Sequence, residues 1–178
     1  MANTPATPRT WVAANTLTAA QMNVDVRDNG DYLLTSKPNA RVYNSGAISL
    51  ATGSVTALTF DSERYDKGAG SHSTSSNTGR LTVPTSCGGV YLIGGNVSFA
   101  SNSTGVRQIG IRINGSTTIA QVYVNTNSSA DCNLSICTAY SLAAADYVEL
   151  MAFQNSGGNL NVQVSAGSPE FWWVWQST

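Results

Sequence analysis

Between Arg41 and Trp175 apolar side chains recur at every second residue, in runs too short for helices and closely punctuated by turns. That pattern restricts the region to antiparallel β-structure, because a strand shows alternate residues to opposite faces. Ile109, Ile111 and Ile113 share a face, Asn114-Gly115 supplies a two-residue hairpin signal, and Ala120, Val122 and Val124 alternate on the return. Cys132, Leu134, Ile136 and Tyr140 continue the rhythm. Tyr147 to Phe153 has little polar relief, so both of its faces should be covered, and Gly157-Gly158 makes the next turn. Leu160, Val162 and Val164 follow, and the chain closes on Phe171-Trp172-Trp173-Val174-Trp175. About eight to ten short strands with regular turn clusters predict an all-β sandwich or barrel, here placed at residues 37–178. No helical period accompanies them, which excludes the crossovers of a parallel sheet.

Ahead of this region lies one predicted helix, residues 19–29. Thr18 and Gln21 form a capping box, Leu17 and Met22 occupy the flanking staple positions, and Asn29-Gly30 supplies a left-handed stop. Its apolar set is thin, Met22 and Val26 with Val24, so it must pack on something beyond itself. Residues 1–36 are therefore read as an attachment arm and helix, with Trp11, Leu17, Met22 and Val26 as its candidate contacts.

Charged residues make up 11% of the chain and the net charge is −1. An average soluble protein carries about 25% charged residues. Near-neutrality gives no electrostatic footprint for nucleic acid or anionic lipid. It does predict a surface covered by copies of the same chain. No run approaches the length of a membrane span, and Met1-Ala2-Asn3-Thr4-Pro5 has neither a basic start nor an apolar stretch, so synthesis in a host cytoplasm is expected.

The residues that carry chemistry are sparse. Cys87, Cys132 and Cys137 have no framework spacing and are read as small buried side chains. His72 is the only histidine and sits in a Gly/Ser-rich segment, which predicts a solvated, mobile loop; a nucleophile–base pair with Cys87 has nothing to orient it. Asp61, Glu63 and Asp66 are the densest acidic cluster and are read as a salt-bridged strand end. Gly94-Gly95 lacks a strand–helix context and marks a bulge or close backbone approach. No cofactor or metal pattern and no catalytic constellation occurs, so an enzyme is not expected.

The aromatic closing strand carries large rings on both faces. One face must be core, and the other needs a cover. Tyr91, Phe99, Tyr123, Tyr147, Phe153, Trp172, Trp173 and Trp175 are the candidate trimer interface, with a sugar-stacking platform as the other use of these rings. Tyr43, Tyr65 and Tyr140 are further possible anchors. His72, Asn77, Asn125 and Asn127 mark candidate ligand loops.

Several segments occur in a familiar order. Gly89-Val90-Tyr91-Leu92-Ile93-Gly94-Gly95-Asn96-Val97-Ser98-Phe99 resembles the Gly-x-Tyr-x-x-x-x-x-Val-x-Phe strand of the C1q/TNF-like jelly-roll superfamily. Residues 60–66 resemble the strand before it and residues 110–115 the hairpin after it. Ala145-Asp146-Tyr147-Val148-Glu149-Leu150 resembles its Gly-Asp-x-Val-x-Leu motif, with Ala145 in place of glycine, and residues 160–171 resemble its last hairpin and closing strand. The resemblance implies a ten-stranded jelly roll that forms compact homotrimers through aromatic-rich faces. Two departures are the missing Gly-X-Y stalk and the lack of a carboxylate cluster of Ca²⁺-site type.

Residues 10–23, with Val26-Arg27-Asp28-Asn29, resemble the opening of short bacteriophage virion proteins of tail or fibre type. That resemblance implies attachment to other virion proteins through the arm. The expectation is a trimeric tail-tip or fibre module that meets a host-surface glycan or protein. A capsid decoration protein and a secreted C1q-like lectin are the alternatives.

Overall fold

The computed structural model describes residue 7 and residues 9–68, 70–126, 130–165 and 167–177. A helical segment opens with α1 (Ala19–Met22), capped as expected: the Thr18 hydroxyl accepts from the Gln21 N–H at 3.2 Å, and the Thr18 N–H donates to Gln21 Oε1 at 2.9 Å. The expected stop at Asn29-Gly30 is not used. Asn29 keeps a helical φ of −68° and its amide donates to the Asp25 carbonyl instead, so helical turns continue to Ser36. Termination falls at Lys37, extended at ψ 134°, because Pro38 excludes the helical conformation of the residue before it.

Twelve strands follow among the described residues. They are β1 (Asn39–Tyr43), β2 (Ile48–Leu50), β3 (Thr56–Ala57), β4 (Ser62–Lys67), β5 (Arg80–Thr82) and β6 (Gly89–Phe99), then β7 (Val106–Ile113), β8 (Thr117–Asn125), β9 (Cys132–Leu142), β10 (Tyr147–Gln154), β11 (Leu160–Val162) and β12 (Glu170–Ser177). The count exceeds the sequence expectation because β2, β3, β5 and β11 are pieces of two or three residues. All pairings are antiparallel.

In the first sheet β4, β1, β12, β6 and β9 lie side by side, and β11 and β2 extend it from the end of β6. In the second, β10 pairs with β3 and β5 on one side and with β7 on the other, and β8 closes the far edge. The β7–β8 turn uses Asn114 (φ 50°) and Gly115 (φ 70°), the left-handed pair that a tight hairpin needs.

The core lies between the sheets. Phe60 stacks on Phe171 at 5.9 Å between ring centroids, Tyr91 meets Trp173 at 4.6 Å, and Ile93, Ile109, Ile111, Val148 and Leu150 fill the rest. Fully burying one such side chain contributes about 1.5–3 kcal/mol. Gly94 and Gly95 are close approaches, not a bulge, since β6 stays in register with β9 throughout. A Cβ on Gly95 would stand 2.7 Å from Leu150 of the opposite sheet, and one on Gly94 would enter the Trp172 ring lying across the outer face.

Arg107 shares the inward parity of Ile109 and Ile111 and is fully buried. Its guanidinium donates to the carbonyls of Asn102, Thr104 and Val106, which ties down the loop before β7.

Candidate functional site

Burial separates the aromatic candidates. Tyr91, Phe99 and Trp173 have no exposed surface and Trp175 has 8%, so they are core and not interface. The physical reason is parity: Phe171, Trp173 and Trp175 all point between the sheets, and Tyr91 pairs with Trp175 on the same face. Tyr32 and Lys37 also cover Trp175, the first edge-on at 6.3 Å and the second over its ring. Trp172 alone of the three tryptophans faces outward, half-buried, beside Leu92 and Val174. Tyr147, Phe153 and Tyr123 lie on the outer face of the second sheet, and Tyr123 is 64% exposed. Trp11, Leu17, Met22 and Val26 are all exposed on the arm and helix.

The ligand-loop candidates do not converge. Asn77 is exposed on the wall where β4 faces β5, whereas Asn125 ends β8 on the opposite wall. Asn127 lies outside the described residues.

His72 corrects the expectation of a solvated loop histidine. Its side chain has 0% exposure, with Nδ1 2.9 Å from Glu63 Oε1 and Nε2 3.0 Å from the Thr78 carbonyl. The Asp66 carboxylate accepts from the N–H groups of Ser71 (2.6 Å) and His72 (2.9 Å). The Ser71 carbonyl in turn accepts from the Thr82 N–H at 2.8 Å. Residues 70–79 therefore form a strap that closes the gap between the sheets on this side. The loop composition concealed the strap, because the contacts holding it come from a strand earlier in the chain.

The acidic cluster is spent on structure. Asp61 accepts from the Ser45 N–H and hydroxyl, and that hydroxyl bond holds its carboxyl below the usual range. Glu63 faces His72, and Asp66 caps the strap. Cys87 is buried against Tyr32, and burial pushes its thiol up, away from nucleophilic use. Among the described residues no three His, Cys, Asp or Glu side chains converge as metal ligands would. None of the described helices is long and apolar enough to cross a membrane.

Two buried glutamates, which the sequence did not single out, organise much of the remaining charge. Glu170 sits between Arg41 and Arg64 on the first sheet, and Glu149 between Arg80 and Arg112 on the second. Glu170 lies opposite Tyr43, two residues from Arg41 on the same face of β1, and Glu149 lies directly opposite Arg112 and Arg80.

On the other wall β8 and β9 come together along the edges of the two sheets. Neither strand carries a charged residue, and Tyr123, Val124 and Tyr140 are 64%, 38% and 39% exposed. An uncharged, apolar strand edge is a template for pairing with another chain.

No protein-family model matches the chain. An uncharacterized protein, L688, of Acanthamoeba polyphaga mimivirus is 28% identical over 120 residues, covering 65% of this chain and 50% of the relative. The chain thus spans about half the length of the curated relative it matches. Solved structures with similar folds include Eiger TNF from S. frugiperda, at TM-score 0.59 and 14% identity over 80% of this chain and 94% of that one. Murine APRIL gives 0.59 and 15% over 79% of this chain and 100% of its own. The globular domain of zebrafish complement 1qA gives 0.57 and 15% over 80% and 100%. Identities this low speak to architecture, and with two antiparallel sheets in this order the chain has the C1q/TNF-like jelly-roll fold.

Proposed function

We propose that the protein is a homotrimeric binding module of a virus particle, a bacteriophage tail-tip or fibre component. Residues 1–36 attach it to other virion proteins and the jelly roll, residues 37–178, meets the host surface. The observation that carries the assembly is the uncharged seam of β8 and β9, along which Tyr123, Val124 and Tyr140 are exposed. A second patch, Leu92, Trp172 and Val174 on the outer face of the first sheet, is different in shape and composition from the seam. Two unlike patches on one chain favour a heterologous contact that closes into a ring. The viral relative supports a viral setting, and the exposed Trp11, Leu17, Met22 and Val26 support a docking role for the arm.

Antibody-gold labelling of purified particles tests the placement. Label at one end of a tail is the expected result, and protein recovered only outside particles would overturn it. Removing residues 1–28, which leaves Tyr32 on Trp175, is expected to spare folding and abolish incorporation. Particles that take up the shortened chain would reject the attachment role.

A further inference from the structure

We propose that the pocket under the 70–79 strap binds an acidic sugar residue, whose carboxylate is taken by Arg80 and whose hydroxyls meet Ser71 and Asn77. This rests on reading the protein as a binding module and supplies the ligand class for it. The pocket has a volume of about 230 Å³ and is lined by Ser71, His72, Ser76, Asn77, Arg80 and Thr82 with neighbouring backbone. That is below the ~300–1,000 Å³ of sites for drug-sized ligands, so it suits one ring and not an extended chain. Its lining is hydroxyl, amide, imidazole and guanidinium, with no aliphatic wall to hold an apolar or peptide side chain.

Two independent features point to a ligand. The first is Ser71, 3% exposed, whose hydroxyl has no hydrogen-bond partner among the described residues. A buried hydroxyl left unpaired is unfavourable, and a ligand hydroxyl relieves it. The second is the asymmetry around Glu149. Arg112 gives Glu149 both Nε (3.1 Å) and a terminal nitrogen (2.9 Å). Arg80 reaches the same carboxylate only through Nε, at 3.5 Å, and its guanidinium lies 3.9 Å from the Tyr147 ring centroid. Its terminal NH₂ groups have no acceptor among the described residues. One carboxylate thus faces two cations, and the surplus charge sits on a planar fork held from below by an aromatic ring. Such a fork takes a carboxylate through two parallel bonds. Both ring nitrogens of His72 are already taken, by Glu63 and by the Thr78 carbonyl.

Isothermal titration of the intact protein with 3′-sialyllactose and with lactose tests the site. Sialyllactose is expected to bind about tenfold or more tightly than lactose, the margin a charge-assisted pair provides. Arg80→Gln should weaken sialyllactose about ten- to hundredfold, Arg80→Lys less, and Ser71→Ala about fivefold, with Lys67→Gln unchanged. Equal binding of the two sugars, full binding by Arg80→Gln and Ser71→Ala, or no saturable binding of sialyllactose would each overturn the proposal. Light scattering on the same samples separates the two readings. A trimer that ignores sialyllactose removes the pocket and leaves the assembly, whereas a monomer that binds it through Arg80 does the reverse.

Discussion

On the wall where β4 faces β5, the edge strand carries Glu63, Arg64, Asp66 and Lys67, and the gap between the sheets is closed by the chain's own strap. On the wall where β8 faces β9, the nine residues of one strand and the eleven of the other hold no charge, and Tyr123 and Tyr140 are exposed there. Both walls end a sheet and both expose unpaired backbone. The first is finished for water, with charges that discourage strand addition. The second carries no such charges, which leaves it open to pairing with another chain. Low overall charge is therefore not evenly spread, and its distribution locates the surface that needs a cover.

The largest effect should come from charging the uncharged wall. Tyr140→Asp is expected to weaken assembly by about a hundredfold or more, because an unpaired charge would have to be desolvated in the contact. Sedimentation velocity reads this, and circular dichroism should show the monomer still folded. An unchanged sedimentation profile would mean that the seam is not the interface.

On the closed wall the effect falls on stability instead. His72→Ala removes a buried ring and leaves Glu63 and the Thr78 carbonyl without it, a loss of about 2–4 kcal/mol in urea unfolding. The oligomeric state of the folded fraction should not change. A urea midpoint equal to that of the parent chain would show that the strap is dispensable.

A smaller effect is expected on the face that the seam would contact. Gly94→Ala forces the Trp172 ring off the sheet, which overpacking data place at about 1–3 kcal/mol. Part of this should appear as weaker assembly, whereas Gly46→Ala, with nothing within 4 Å of the new Cβ, should leave assembly as it is.

The smallest is Asp61→Asn, just before β4. The Ser45 hydroxyl lowers the Asp61 pKa, so its contribution is present above the unfolded carboxylate pKa and is lost as pH falls through the folded one. Because the group is largely solvated, the difference at neutral pH should stay within about 1 kcal/mol, and the two proteins should converge in acid. A gap that widens on acidification would contradict the assignment.

Much of the architecture was legible because alternation and turn chemistry act locally. The β7–β8 hairpin, the capping box at Thr18 and the order of motifs from residue 89 to residue 171 needed no long-range information. Trp173 and Trp175 were placed among interface candidates although their parity with Phe171 already set them inward; the number of rings outweighed the face they occupy. Arg107 shows the reverse, a charged residue at an inward position that residue type alone would put outside. Its burial depends on three backbone carbonyls turning toward it, which no spacing reveals. The strap could not be read for a similar reason. His72 becomes fixed only once β4 lies beside it, and Ser71 and Arg80 meet across a pocket that the sequence presents as an ordinary Ser/Gly loop.

Static light scattering on the intact chain at micromolar concentration reads the assembly itself. If the bare wall is covered by sister copies, the mass is about 56 kDa, three times the 18.7 kDa chain. A single 18.7 kDa species that stays monodisperse on concentration would show that no sister copy covers the uncharged wall of β8 and β9.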